Sequence, residues 1–343
     1  MYSLYKSLTS TITLVIYANY FIIVNVNFGK VPINKFIYNL PIGDCLTCPS
    51  IGEDAAVLEA KDKYLIVHSD PITEAKSDSG FLSIAVACND INMKGAQCRW
   101  VNSIILLSDI SHLNATISAI SEACNLIGCK VVGGHTEVSD KVKQDIIITT
   151  AIGVSNKFLS YKNVKEGMKV VLVGSPGIEG TWILAKDYDQ LLLEKGISRE
   201  IIEKAKEFKK DIVVQPKALS ILDYVVAMHD ATEGGIMQAM LEVAKASGYT
   251  VSINLDKIVL RRETKIITKA LNIDPLRLIS SGSFIAVSNT PEKILERISE
   301  AYIIGEIKRG DPVLEIKGVG TFNQDFEEEL VKFESNYLGW GKG

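Results

Sequence analysis

Apolar residues along the chain fall into two rhythms. Short runs rich in β-branched and large apolar residues, bounded by polar turns, predict strands: AAVLEA (55–60), KYLIVHSD (63–70), VNSIILLSD (101–109) and DIIITTAIGV (145–154). Longer stretches with apolar residues at three- and four-residue intervals predict helices: SGFLSIAVACNDINMKGA (79–96) and LNATISAISEACNLIG (113–128), the second stopped by Gly128. KVVGG (130–134) predicts a short strand, so residues up to about 155 form one compact α/β unit.

The polar run SNKFLSYKNVKEG (155–167) separates this unit from a second. That second unit opens with the strand MKVVLVGSPG (168–177) and continues with helical patterns to residue 226 and a strand end, VVAMHD (225–230). A helix follows in EGGIMQAMLEVAKASG (233–248), then strands in YTVSINL, SGSFIAVS, AYIIGEIKRG and PVLEIKG. The closing FNQDFEEELVKFESNYLGWGKG reads as a short acidic helix with a frayed end.

One position resists the pattern. In the first long helix, Asp90 shares its side of the helical wheel with Leu82, Val86 and Met93, so it does not lie on a solvated face. The ordinary account is an i,i+4 pair with Lys94, stabilising by only a few tenths of a kcal/mol, roughly. Other acids recur at strand ends or Gly-bearing turns: Asp54 in IGEDAAV, Asp70 in VHSDPIT, Glu137 in GGHTEV, and Asp230 with Glu233 in HDATEGG. Each alone suits a turn or helix cap. Brought together they would repel one another unless a cation neutralised them, and Mg²⁺ does this while keeping ligand positions for phosphates. Glycines 52, 95, 133, 134, 234 and 235 beside these acids would let backbone approach those phosphates. Three of the four histidines, His68, His135 and His229, also stand beside candidate acids, without the HxH or HxxxH spacing of a transition-metal site.

Composition narrows the classes. With 343 residues, 47% hydrophobic and 23% charged, the chain is long enough for two ordinary domains with proper cores. A formal net charge of −4 and no basic stripe interleaved with aromatics argue against nucleic acid. The apolar segment TITLVIYANYFIIVNV (11–26) is broken by Asn19 and Asn25 and falls short of the ~20 residues a membrane span needs, so a buried strand or an over-extended start is the preferred reading. All six cysteines lie before residue 130 without disulfide-scaffold spacing; ordinary thiols are expected, including Cys45 and Cys48, in a reduced cytoplasmic compartment. GSPGIEGT lacks the Gly-Lys-Ser/Thr of a phosphate loop and does not match GxGxxG, leaving a tight turn before a helix.

Taken in order, IGEDAAV, HSDPIT, NDINMKGA, VVGGHTEV, GIEGTWILA and HDATEGGI resemble the motifs of the aminoimidazole ribonucleotide (AIR) synthase superfamily, most closely its HypE-like members. The resemblance implies a two-domain PurM-like fold, combining α/β and α+β domains. An N-terminal extension (1–27) would precede an ATP-binding domain (28–158) that dimerises through its sheet, followed by a C-terminal domain (165–317) and a tail (318–343). It implies ATP and Mg²⁺ as cofactors, with metal held by Asp54, Asp70, Asp90 and Asp230. Nucleotide would be bound by Asp54, Asp70, Asn89, Asp90, Gly133, Gly134, Glu137, Gly234 and Gly235, and catalysis would involve His135, His229 and Asp230. The implied chemistry is phosphorylation of an amide or carbonyl oxygen of a small molecule, in hydrogenase-maturation-like metabolism, with a homodimer and a maturation-protein partner expected. Cyclo-ligase, small-molecule kinase and non-catalytic nucleotide binding are the alternatives. No cysteine follows Cys129, so transfer to a cysteine on the chain's own tail is not expected.

Overall fold

The structure, a computed structural model, describes residues 45–73 and 78–338. The predicted segment 11–26 and the domain boundary at 27/28 lie outside them. Five strands build the first sheet: β1 (Ala56–Ala60), β2 (Lys63–Ile72), β3 (Gln97–Leu107), β4 (Lys130–Val138) and β5 (Ile146–Ser155). Their order is β1-β2-β5-β3-β4, antiparallel except for the β3/β4 pair. Alternation along β3 and β5 sends Val101, Ser103 and Ile105, with Ile147, Thr149 and Ala151, to one face, where all are buried.

That face is covered by the helix Ser79–Met93, and every one of its fifteen residues is buried. A helix apolar nearly all round is expected to be enclosed, and burying its polar residues is made tolerable by hydrogen bonds. Ser83 donates to Gly80 O at 3.0 Å, and Asn92 donates to Ala96 O at 2.9 Å and Gln215 Oε1 at 3.2 Å. The helix Leu113–Ile127 packs beside it and ends on Gly128 in the left-handed region.

The second sheet has seven strands: β6 (Lys169–Val173), β7 (Ala227–Asp230), β8 (Thr250–Ile253), β9 (Phe284–Ser288), β10 (Ala301–Lys308), β11 (Leu314–Ile316) and β12 (Gly320–Phe322). Their order is β12-β11-β8-β10-β6-β9-β7, with only β8 and β11 parallel. The helix Gly235–Ser247 packs on this sheet through Ile236, Met240, Leu241 and Val243. A single apolar cluster joins the two units, running from Val57, Ile84 and Val101 to Ile178, Trp182, Phe208 and Leu330. The architecture is the two-domain, mixed α/β and α+β arrangement expected.

Four local expectations change. KVVGG does not stop at Gly134: β4 continues through His135–Val138 because its parallel ladder with β3 takes up a register shift at Val101/Asn102. Cys45 and Cys48 are not free thiols; a short turn sets their Cα atoms 5.2 Å apart and they form a disulfide. The acidic terminal helix is Glu329–Leu338, with Leu330 and Glu334 buried and Phe333 packed edge-on against Tyr188. The helix Arg262–Leu271 and strand β12 had no place in the sequence pattern. Among the described residues, no helix is long and apolar enough to cross a membrane.

Asn89 fixes the buried helix to the second unit. Its amide donates to Ile212 O at 2.8 Å and accepts from Val214 N–H at 3.1 Å, fully buried. Asn89→Ala would strand two buried backbone groups and is expected to destabilise the protein by roughly 2–4 kcal/mol. Urea unfolding checks this, and a loss below about 1 kcal/mol would show that the clamp matters little.

Candidate functional site

The buried helix carries Asp90 to the covered face of the first sheet, near its edge. Ile66, His68 and Asp70 alternate along β2 toward that same face, since His68 pairs with Ala151 and Asp70 with Thr149 in the ladder. His68 Nε2 lies 3.2 Å from Asp90 Oδ2. His68, Asp70 and Asp90 each place one donor atom within 4.8 Å of the others. His68 and Asp70 are half-buried, so this group is open on one side.

A second group is fully enclosed. Gly52 adopts φ +76°, and a Cβ there would meet Glu242 O at 2.8 Å. This close approach of backbone to the helix Gly235–Ser247 requires glycine, and it delivers Glu53 and Asp54 to the end of β7. There His229 is wedged between two carboxylates: Nδ1 is ion-paired with Asp54, and Nε2 lies 2.7 Å from Glu242 Oε2. Burial works to strip the proton from His229, but Asp54 and Glu242 together outweigh it and push its pKa up to about 10. The ring is therefore a cation at neutral pH. Asp230 joins Asp54 and His229, again with donor atoms within 4.8 Å.

Lys94 links the two groups. It lies one turn beyond Asp90, is 1% exposed, pairs with Glu53 rather than Asp90, and sits 5.1 Å from the centre of the Tyr161 ring. Tyr161 donates to Met228 O at 3.0 Å. Its phenol is held well above its usual range, first by burial and then by the negative charge of Asp54, Glu53, Glu242 and Asp230 around it. Four acids from three separate segments thus converge on one buried tyrosine.

The other predicted residues are placed differently. The Asn89 amide is engaged by the backbone of Ile212 and Val214. Gly133, Gly134, His135 and Glu137 lie on β4, exposed, with His135 Nε2 3.5 Å from Glu137 Oε2. β4 is three strands from β2, which at about 4.8 Å per strand separates His135 from Asp70 by roughly 14 Å. The ladder also turns His135 to the opposite face, since it is level with Ile104, Ile148 and Pro71. Gly234 and Gly235 form the left-handed turn that starts the helix after Asp230. A Cβ on Gly235 would meet Leu276 O at 2.5 Å.

Sequence reasoning passed over Glu53, Lys94, Glu242, Glu179 and Glu328 as site residues. Glu179 opens the helix Ile178–Asp187 after the GSPG turn, is 2% exposed, and accepts from Ser281 N–H at 3.2 Å. Burial, with Glu233 and Glu328 nearby, pushes its carboxyl up to about 7. Glu328 accepts from Ile279 N–H and Leu330 N–H, both at 2.9 Å, and from Gly234 N–H, and burial likewise raises it to about 7. GIEGT was visible in the sequence, but nothing local shows that its carboxylate turns inward.

Two domain descriptions match this chain: AIR synthase related protein, N-terminal domain, over residues 52–155, and AIR synthase related protein, C-terminal domain, over residues 165–317. The chain belongs to the AIR synthase-related family. A putative hydrogenase expression/formation protein of Methanocaldococcus jannaschii is 26% identical over 264 residues, covering 72% of this chain and 75% of the relative. A thiamine-monophosphate kinase of Pyrococcus horikoshii is 26% identical over 305 residues, covering 85% and 90%. Among solved structures, the hydrogenase maturation protein HypE in complex with ATP superposes with a TM-score of 0.63 at 20% identity, covering 82% of this chain and 90% of that one. That likeness supports the PurM-like fold.

In this family member the raised Glu179 gives a signed pH effect. Its folded value, about 7, exceeds the ordinary 4.5, so the unfolded chain releases the proton first and stability falls as pH rises from 4.5 to 7. Above that window Glu179 is a buried anion. Glu179→Gln is therefore expected to raise the melting temperature more at pH 8 than at pH 5, where the protonated acid and the amide are nearly equivalent. Equal shifts at both pH values in thermal unfolding would contradict the buried, raised carboxyl.

Proposed function

We propose that this chain is an ATP- and Mg²⁺-dependent enzyme that phosphorylates an amide or carbonyl oxygen of a small molecule, turning it into a leaving group. The observation that carries this reading is the convergence of carboxylates from distant segments, Asp70 with Asp90 and Asp54 with Asp230. Such groups repel in a low-dielectric setting unless a cation offsets them. His229 offsets part of the buried group, yet Asp54 Oδ2 is buried with no hydrogen-bond partner among the described residues. A hard divalent ion fits these oxygen donors. Asp70 and Asp90 would hold it on the open side, with Asp54 and Asp230 supporting on the enclosed side. Bound Mg²⁺ would neutralise charge on the phosphates.

The protein's own groups then divide the work. His68 orients Asp90 through its Nε2 contact. His229 has both ring nitrogens against carboxylates, which supports a positioning role that keeps Asp54 and Glu242 in place. The ATP complex of HypE supports nucleotide in this fold. The kinase relative, matched over 85% of this chain, supports the second reading, in which the acceptor is itself a phosphate.

A homodimer belongs to the same proposal. The sheet face away from the buried helix carries Val67, Trp100, Ile104, Leu106, Ile146, Ile148 and Ile152, each at least partly exposed, with no described element over it. An apolar face of this extent marks an association surface, and a second copy covering it would also bring His135 and Glu137 to the interface. A solved HypE–HypF complex, whose matched chain shares this fold, supports a maturation-protein partner in addition.

ATP with Mg²⁺ is expected to raise the melting temperature of the protein, ATP with EDTA much less, and Asp90→Asn to lose most of the Mg²⁺-dependent shift. ADP release in the presence of a metabolite pool should fall at least tenfold in the same variant, and ³¹P analysis of the product separates kinase from dehydratase. Turnover undiminished in Asp90→Asn would sink the assignment. Ile104→Lys should convert the dimer to a monomer by light scattering; an unchanged mass would exclude this face as the contact.

A further inference from the structure

All four cysteines outside the Cys45–Cys48 bridge come together in the first unit, although they are spread over forty-two positions of sequence. Cys88 lies on the buried helix, Cys98 on β3, Cys124 in the last turn of the helix Leu113–Ile127, and Cys129 just before β4. The left-handed Gly128 folds the chain back so that Cys129 N–H donates to Cys124 O at 3.1 Å, bringing these two side chains to one place. The sulfurs of Cys88, Cys98 and Cys129 lie within 4.8 Å of one another. Cys124 lines the same cavity as Cys129, at the side of this group. Exposure is 0% for Cys88 and Cys98, 1% for Cys129 and 8% for Cys124.

We propose that Cys88, Cys98, Cys124 and Cys129 form an all-sulfur site for a soft closed-shell metal ion, zinc(II) or copper(I), which pins β4 to the two helices of its unit. Sulfurs about 2.3 Å from a tetrahedral zinc ion lie roughly 3.8 Å apart, so Cys88, Cys98 and Cys129, within 4.8 Å of one another, need to close by no more than about an ångström, with Cys124 turning in as the fourth ligand. Donor chemistry selects the ion. Four thiolates favour zinc or copper(I) and disfavour Mg²⁺, separating this site from the carboxylate groups. The Cys98 thiol donates a weak hydrogen bond to Trp100 O at 3.9 Å, which binding of an ion by the thiolate would replace. A cavity of about 500 Å³, lined in part by Ser121, Cys124, Cys129, Lys130 and Gly133, reaches two of the four sulfurs from the β4 edge and gives an ion a route in.

Buried cysteines can also serve simply as small apolar residues, and the experiment separates the two roles. The full chain, purified with reductant and stripped of metal, is titrated with cobalt(II). One equivalent is expected to give the intense sulfur-to-cobalt charge-transfer bands of tetrahedral thiolate coordination, and zinc should displace it. Cys98→Ser and Cys129→Ser should each weaken the cobalt affinity read from these charge-transfer bands at least tenfold, while the Cys45→Ser, Cys48→Ser double variant and Asp90→Asn, which removes no sulfur of the cluster, leave the bands unchanged. Asp90→Asn is the arm that keeps this proposal distinct from the nucleotide reading. Should a cysteine variant fail to fold, X-ray absorption on the zinc- or copper(I)-loaded wild type decides alone. A sulfur shell supports the site, and an oxygen or nitrogen shell, or no retained ion, overturns it.

Discussion

Enclosing a helix on every side makes each unsatisfied polar atom costly, and the helix Ser79–Met93 carries five polar side chains into that position. Three of them are tied to other segments: Asn89 to the backbone of 212 and 214, Asn92 to the Gln215 side chain, Asp90 to His68. Gln215 in turn donates to Ile127 O at 2.6 Å and accepts from Cys98 N–H at 3.1 Å. The helix is therefore a polar-wired axle between the two sheets. Because a buried donor left unpaired costs about 1–3 kcal/mol, these bonds fix how the units meet more tightly than apolar contact alone would.

The site inherits its geometry from this arrangement. Asp90 and Lys94 project from the same helix one turn apart, toward the β2 acids and the Glu53–Asp54 turn respectively. Lys94 and His229 stand as internal partners of the Glu53 and Asp54 carboxylates. Glu179 and Glu328, which pair with no cation among the described residues, are pushed upward by burial to about 7.

The first sheet shows why its two faces differ in purpose. IIITTAI and VNSIILL alternate between a face buried under helices and a face that is also largely apolar but not covered by any described element. An antiparallel sheet that faced water on one side would carry polar residues there. Val131 and Val132, at 54% and 59% exposure on the β4 edge, extend the same unmet demand for cover.

Periodicity alone determined most of the order of strands and helices, though not the helix Arg262–Leu271 or strand β12, and the oddity of a carboxylate on a buried helix, because these depend on neighbours two to four residues apart. The acids in IGEDAAV, HSDPIT and HDATEGG were likewise legible as candidates. What only the tertiary structure decided was which of them meet: Asp70 with Asp90, and Asp54 with Asp230, in two groups joined by Lys94 rather than one. It also decided that Asn89 binds backbone, that His135 faces away across three strands, and that three scattered thiols gather. Those outcomes rest on strand register and helix crossing, which arise from packing between segments well separated along the chain, and no local pattern encodes them.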